Sequence, residues 1–188
     1  MNNRLSNEKA FTLIEVIVSM VLLGIIGVVA GMGLVQIANG YVFVKENAET
    51  VQKAQITMAR IVKELKAATI ISATSLPTQT SITYTRPVST GSTTSITNTI
   101  TITSGGLVKI NINGGSTAYT LTDKVVYAFS SFTYTYGYDQ SGNPQYTTTP
   151  TAAQVPNICR IDINLQLTGA SNIPCNLNSS VFMQESYE

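Results

Sequence analysis

One carboxylate stands where a carboxylate is costly. Glu15 is the fifth residue of FTLIEVIVSMVLLGII (residues 11–26), in an apolar run whose other polar members before Ala38 are Thr12, Ser19 and Gln36. An ionised acid at the centre of a bilayer-spanning helix costs roughly 2.5–3.5 kcal/mol, and less near its end. Its chemistry is that of an anion requiring a cation. The other candidates are weaker. Asp139, Ser141 and Asn143 of DQSGN alternate as oxygen ligands for calcium do, but the bidentate acid that closes such a loop is missing, so a hairpin turn is expected. Tyr134, Tyr136 and Tyr138 alternate along FTYTYGY, which predicts strand packing, with a stacking surface for sugar or protein as the alternative. Cys159 and Cys175 admit two readings: a disulfide closing a loop of about 15 residues, worth about 3 kcal/mol on the chain-entropy model, or a buried thiol at 159 in parity with Ile161, Ile163, Leu165 and Leu167.

Composition narrows the functional classes. The 188 residues contain no histidine, the commonest general base and metal ligand. Neither a nucleophile motif nor a carboxylate pair is evident, so no enzyme, cofactor or metal site is expected. Net charge is +1 with 11% charged residues, too neutral for a nucleic-acid surface. Beyond residue 66, Thr, Ser, Asn and Tyr supply most of the polarity, a pattern in keeping with an extracytoplasmic β domain.

The elements that must position Glu15 follow from periodicity. The run before Gln36 is about 25 residues, or roughly 37 Å of helix against a hydrocarbon layer of about 30 Å. Tyr41, Val44, Ala48, Val51, Gln55, Met58, Val62, Leu65 and Thr69 then recur at steps of three and four, predicting an amphipathic continuation. No proline precedes Pro77. One rod to about Thr69 is therefore expected, with bending or melting anticipated at Gly24, Gly27, Gly31, Gly33 or Gly40. Thereafter SITYT, TITIT, LVKININ, TAYTLT, FTYTYGY and ICRIDINLQL alternate at period two, as strands with one covered face do. SGG (104–106) and NGGS (113–116) read as turns joining three strands into a meander, and residues 146–157 as a surface loop. The rod's Val44–Leu65 seam is the expected cover for the sheet, at about 1.5–3 kcal/mol per buried large side chain.

The stretch KAFTLIEVIVSMVLLGII resembles the class III leader and N-terminal helix of type IV pilins and type II secretion pseudopilins. The resemblance implies an α+β, pilin-like fold: a long N-terminal helix, membrane-embedded in its first half, packed on an antiparallel β-sheet domain. It divides the chain into a cytoplasmic leader (1–10), a transmembrane and assembly helix (11–38), its amphipathic continuation (39–70) and an extracytoplasmic β-rich domain (71–188). It also implies that prepilin peptidase cuts between Ala10 and Phe11, with alanine where most members have glycine, and that the new Phe11 amine is N-methylated. Glu15 then becomes the assembly and register residue, meeting the amine of an adjacent subunit or, at i and i+4, that of its own chain. The small-x-x-x-small spacing of GVVAG (27–31) would aid helix apposition.

A looser resemblance concerns subtype. MARIVKELKAAT, SITYT and then LTDKVVYAFSSFTYTYGYDQSGNP ahead of ICRIDINLQL are similar in layout to J-type minor pseudopilins and PilW-like minor pilins. The function this implies is a minor structural subunit of a type IV pilus or type II secretion pseudopilus, placed in the tip or priming complex. Its partners would be other pilin subunits, prepilin peptidase and the inner-membrane assembly platform. The alternatives are a membrane-anchored binding or adhesion domain and the major pilin of the fibre. The implied location is the inner (cytoplasmic) membrane, single-pass, with the C-terminal domain outside.

Overall fold

With no proline to interrupt it and glycines spread singly, the first third of the chain winds as one α-helix, α1 (Leu13–Lys66). Fifty-four residues at 1.5 Å each give about 80 Å. The computed structural model describes residues 11–89 and 93–183, so the leader at 1–10, Ala10 included, lies outside the described residues. The anticipated break at the glycines does not occur. Each glycine there faces open space, with no atom within 4 Å of where a β-carbon would sit. Isolated glycines weaken a helix without removing a hydrogen bond.

The chain divides between Lys45 and Glu46 into two units. The first is the apolar part of α1. The second holds the last turns of α1 and, among the described residues, nine strands in two antiparallel sheets, where a single sheet was the expectation. The first sheet contains β1 (Ile70–Ile71), β2 (Ser81–Pro87), β3 (Ser95–Thr103), β4 (Leu107–Asn111) and β5 (Ala118–Thr122), paired in chain order. SGG and NGGS join β3, β4 and β5 into the predicted meander. Gly106 sits at φ +73° beneath the Val125 carbonyl, a conformation that favours glycine. The second sheet contains β6 (Ser131–Tyr138), β7 (Pro144–Thr147), β8 (Arg160–Thr168) and β9 (Pro174–Phe182), in the order β7-β6-β8-β9. β9 and the pairing of Tyr146 and Thr147 into β7 go beyond the expected strands; the rest of 146–157 is turn, ending in a short 3-10 segment at Val155–Asn157.

Alternation explains the layers. Ile161, Ile163, Leu165 and Leu167 of β8 are buried, and they share one core with Ile82, Ile100 and Val108 of the first sheet and with Ala54, Met58, Ile61 and Leu65 of α1. The helix covers that core with a different face from the one read in the sequence. Tyr41 and Val44 are exposed, as are Ala48, Val51 and Gln55, whereas Thr50, Ala54, Thr57, Met58, Ile61 and Leu65 are buried. Only Met58 and Leu65 belong to both sets. Close approach of helix and sheet selects small side chains at 50, 54 and 57, which carry little hydropathy signal. On the first sheet's other face a hydroxyl ladder joins Ser81 to Thr101, Thr83 to Thr99 (3.0 Å) and Thr85 to Thr97, which accounts for the threonine-rich strands.

Polar contacts fix the helix on this core. Thr57 Oγ1 donates to the Leu121 carbonyl, Lys53 Nζ meets Asp123 at 3.2 Å, and Lys124 Nζ meets Glu46 at 2.8 Å. Asn47 Oδ1 accepts the Ala170 N–H at 2.9 Å. A β-carbon at residue 169 would collide with that oxygen, so the loop carries Gly169. The deepest contact is Glu64, buried with Arg60 Nη2 at 2.8 Å from one oxygen and Arg86 Nε at 3.1 Å from the other. The Tyr84 hydroxyl donates to Glu64 at 3.1 Å. Burial, then the neighbouring Glu64 charge, hold the Tyr84 phenol neutral well above its usual range.

DQSGN forms the expected hairpin turn between β6 and β7. Asp139 Oδ1 accepts the N–H groups of Ser141 and Asn143, both at 2.8 Å, and Gly142 takes φ +82°. The Asn143 hydrogen bonds, backbone first, hold the Asp139 carboxyl below the usual carboxylate range. A depressed folded-state value means that its stabilising effect is full above the ordinary aspartate pKa and is lost as pH falls through the folded one. Amide signals of Ser141 and Asn143 are therefore expected to titrate together below the usual aspartate range, and in Asp139→Asn to lose that step. The alternating tyrosines do not share one environment: Tyr134 is fully buried and donates to the Thr78 carbonyl at 2.9 Å, Tyr136 is half-buried and Tyr138 exposed. A register shift between Thr135 and Tyr138, at Gly137, separates them.

The disulfide reading is corrected. Both cysteines are free. Cys175 lies opposite Leu167, whereas Cys159 immediately precedes Arg160, which lies opposite Phe182 at the other end of the β8–β9 hairpin. Eight residues of strand separate them, about 26 Å, against a Cα separation of about 4.4–6.8 Å in a bridge. Cys159 instead directs its thiol to the Thr135 carbonyl.

Candidate assembly site at the helix N-terminus

Thr12 starts α1. Its carbonyl accepts the N–H groups of Glu15 (3.0 Å) and Val16 (3.3 Å), and its Oγ1 lies 3.4 Å from the Glu15 N–H. Threonine before the first helical residue with glutamate three positions later is the capping-box sequence, of which the threonine half is made: Thr12 Oγ1 accepts from the Glu15 backbone, and the Glu15 carboxylate does not return to Thr12. That signal was present in TLIE and is absent from a reading that treats Glu15 only as a misplaced charge. An acid in the first turn also faces the positive end of the helix dipole. Ser19 returns its hydroxyl to the Glu15 carbonyl at 2.7 Å, so this polar side chain is satisfied within the helix.

The Glu15 side chain itself is exposed and makes no ion pair or hydrogen bond among the described residues. Phe11, one residue outside the cap, is 78% exposed. The residues that follow are apolar on every side and equally uncovered. An 18-residue window of α1 has mean hydropathy 2.7 with none of it buried. A helix apolar all round needs lipid or other helices around it, and this one is long and apolar enough to cross a membrane. Gly24, Gly27 and Gly31 recur at steps of three and four along one face and leave room for a neighbouring backbone.

Of the residues singled out from sequence, the structure places Phe11 and Glu15 within one turn of each other and keeps Asp139 and the two cysteines in the second unit. Glu64 was not foreseen as a buried anion. Its signal was Arg60 at i−4 with Ile61 and Leu65 beside it, a charge pair on a core-facing stripe.

Residues 5–31 match the family model described as the prokaryotic N-terminal methylation motif. No curated protein and no solved structure matches the chain. The motif is the class III prepilin leader with the apolar helix behind it, and here that helix runs on to pack against antiparallel sheets. The chain thus carries the N-terminal motif of type IV pilins and pseudopilins on a pilin-like α+β architecture, a long helix packed against antiparallel sheets.

Proposed function

We propose that the protein is a minor pilin or pseudopilin that assembles through α1 into a type IV pilus or type II secretion pseudopilus, in the tip or priming complex. Prepilin peptidase removes residues 1–10, the Phe11 amine is methylated, and the assembly platform of the inner membrane hands the subunit to its neighbours. Before assembly residues 11–38 cross that membrane once, the helix continues to Lys66, and the residues beyond it form the extracytoplasmic domain. The observation that carries this reading is the Glu15 carboxylate, without a partner among the described residues, at the capped start of an uncovered apolar helix inside the methylation motif. An amine released at Phe11 lies in the same shallow layer. At about 4 Å and an effective dielectric near 20 the pair attracts by about 4 kcal/mol, comparable with the insertion cost. Supplied by an adjacent subunit, the amine makes Glu15 a register device.

A minor, J-type or PilW-like role is supported by the layout of the second unit, in which the MARIVKELKAAT turns of α1 precede the first sheet and the YDQSG hairpin flanks the late strands. Mass spectrometry of the protein from its native membrane provides the test. The expected mature terminus is Phe11 carrying one methyl group. An intact Met1, or a start beyond Ala30, overturns the proposal.

A further inference from the structure

The second sheet has an outer face that the assembly reading leaves without a use. Because Ile161, Ile163, Leu165 and Leu167 turn into the core, the alternate β8 residues Arg160, Asp162, Asn164 and Gln166 turn outward. The pairing register aligns Ser131, Asn164 and Asn178 across three strands, and Gln166 with Asn176 beside them. Two adjoining depressions share Ser131, Asn164 and Asn178 in their walls and so form one shallow groove. Its floor is amide and hydroxyl.

We propose that this groove binds a neutral polysaccharide. Three observations point to that chemistry. First, the exposed Asn164 and Asn178 amides have no hydrogen-bond partner among the described residues. Each offers two donors and an acceptor, a set that matches neighbouring sugar hydroxyls, which both donate and accept. Second, a bare aromatic ring stands at one end of the groove and two more stand one strand row beyond the other. Phe129, 63% exposed, lines the groove beside Gln166 and Asn176. Tyr146 and Phe182, 69% and 70% exposed, stand at the two sides of the next row past Asp162, Tyr146–Thr135–Arg160–Phe182, in which Thr135 is buried. From the Gln166 row to the Arg160 row is six residues, about 20 Å, the reach of a short oligosaccharide whose apolar C–H faces stack on rings. Third, among the described residues the face carries no net charge to attract a polyanion. Its one cation there, Arg160, lies 3.0 Å from its one anion, Asp162, to which Ser180 also donates. A protein partner would require a central apolar or aromatic anchor, and here the aromatics are at one end and beyond the other and the centre is polar.

This inference goes beyond the assembly role and does not rest on it. Affinity electrophoresis of the full chain, in a detergent without a sugar headgroup, tests it in gels containing β-glucan, xylan or galactomannan, with alginate as the anionic comparison. Retardation in at least one neutral gel is expected, persisting in high salt and in Glu15→Ala. The double variants Asn164→Ala/Asn178→Ala and Phe129→Ala/Phe182→Ala, all at exposed positions, should each weaken it at least tenfold while thermal unfolding is unchanged. Absence of retardation in every neutral gel, retardation in alginate alone that salt abolishes, or full retention by both double variants overturns the proposal.

Discussion

Glu15→Gln, expressed in the native membrane, is expected to insert at least as well as the parent chain and to fail to enter filaments. The Thr12 cap uses the backbone N–H of position 15 and not its side chain, so the start of α1 should survive the substitution. What the substitution removes is the charge. Insertion improves because a neutral amide costs less than a carboxylate in hydrocarbon. Docking worsens because the proposed attraction to a Phe11 amine, about 4 kcal/mol, is lost, and every 1.4 kcal/mol is tenfold in an equilibrium constant. Incorporation into sheared filaments or pseudopilus complexes should therefore fall by two to three orders of magnitude, about 10²–10³. The measurement is the ratio of filament-bound to membrane-bound protein. Equal incorporation of parent and Glu15→Gln would end the register proposal. Crosslinking from position 15 distinguishes the two sources of the amine: a product between chains supports the adjacent subunit, whereas monomer alone supports the same-chain pair.

The second large effect belongs to Glu64. Replacing it by alanine strands two guanidinium groups and one phenol at the helix–sheet contact. Arg60 is 44% exposed and can turn to water, so that pair contributes little. Arg86 is only 25% exposed, and the buried Tyr84 hydroxyl loses its acceptor. Removing one member of a buried ion pair costs about 3–5 kcal/mol, because the partner is left desolvated and unpaired. With Arg86 partly open to solvent, the lower end, about 3 kcal/mol, is expected. For a chain of this size each kcal/mol shifts the midpoint by about 2–4 °C, so thermal unfolding followed by circular dichroism should move down by roughly 6–12 °C. Glu64→Gln keeps an acceptor for Tyr84 and should recover part of the loss. A Glu64→Ala midpoint within about 2 °C of the parent would show that the cluster contributes no net stability.

The two variants also separate the units. Glu15 lies in the uncovered apolar part of α1 and Glu64 in the part that packs on the sheets. Loss of assembly without loss of stability is expected at the first position, and loss of stability at the second.

What could be read from the chain beforehand was what depends on neighbours in sequence. The motif around Phe11 and Glu15, the apolar span, the change from a helical to an alternating period after Thr69, and the DQSGN turn are all local patterns, and local geometry enforces them. The Thr12 cap is equally local, an oxygen accepting from the N–H three residues on. Tertiary packing decided the rest. It chose Thr50, Ala54 and Thr57 for the buried face of α1 because a close helix–sheet approach rewards small size over hydropathy. It divided the strands into two sheets and added β9, in which Ser179 on the inward side and Phe182 on the outward side blur the alternation that marks a strand. Strand register, which is a relation between distant segments, set the cysteines at opposite ends of one hairpin and aligned Ser131, Asn164 and Asn178 into one row. A one-residue slip would turn every one of those side chains to the other face, and no period within a single segment specifies which partner it will meet.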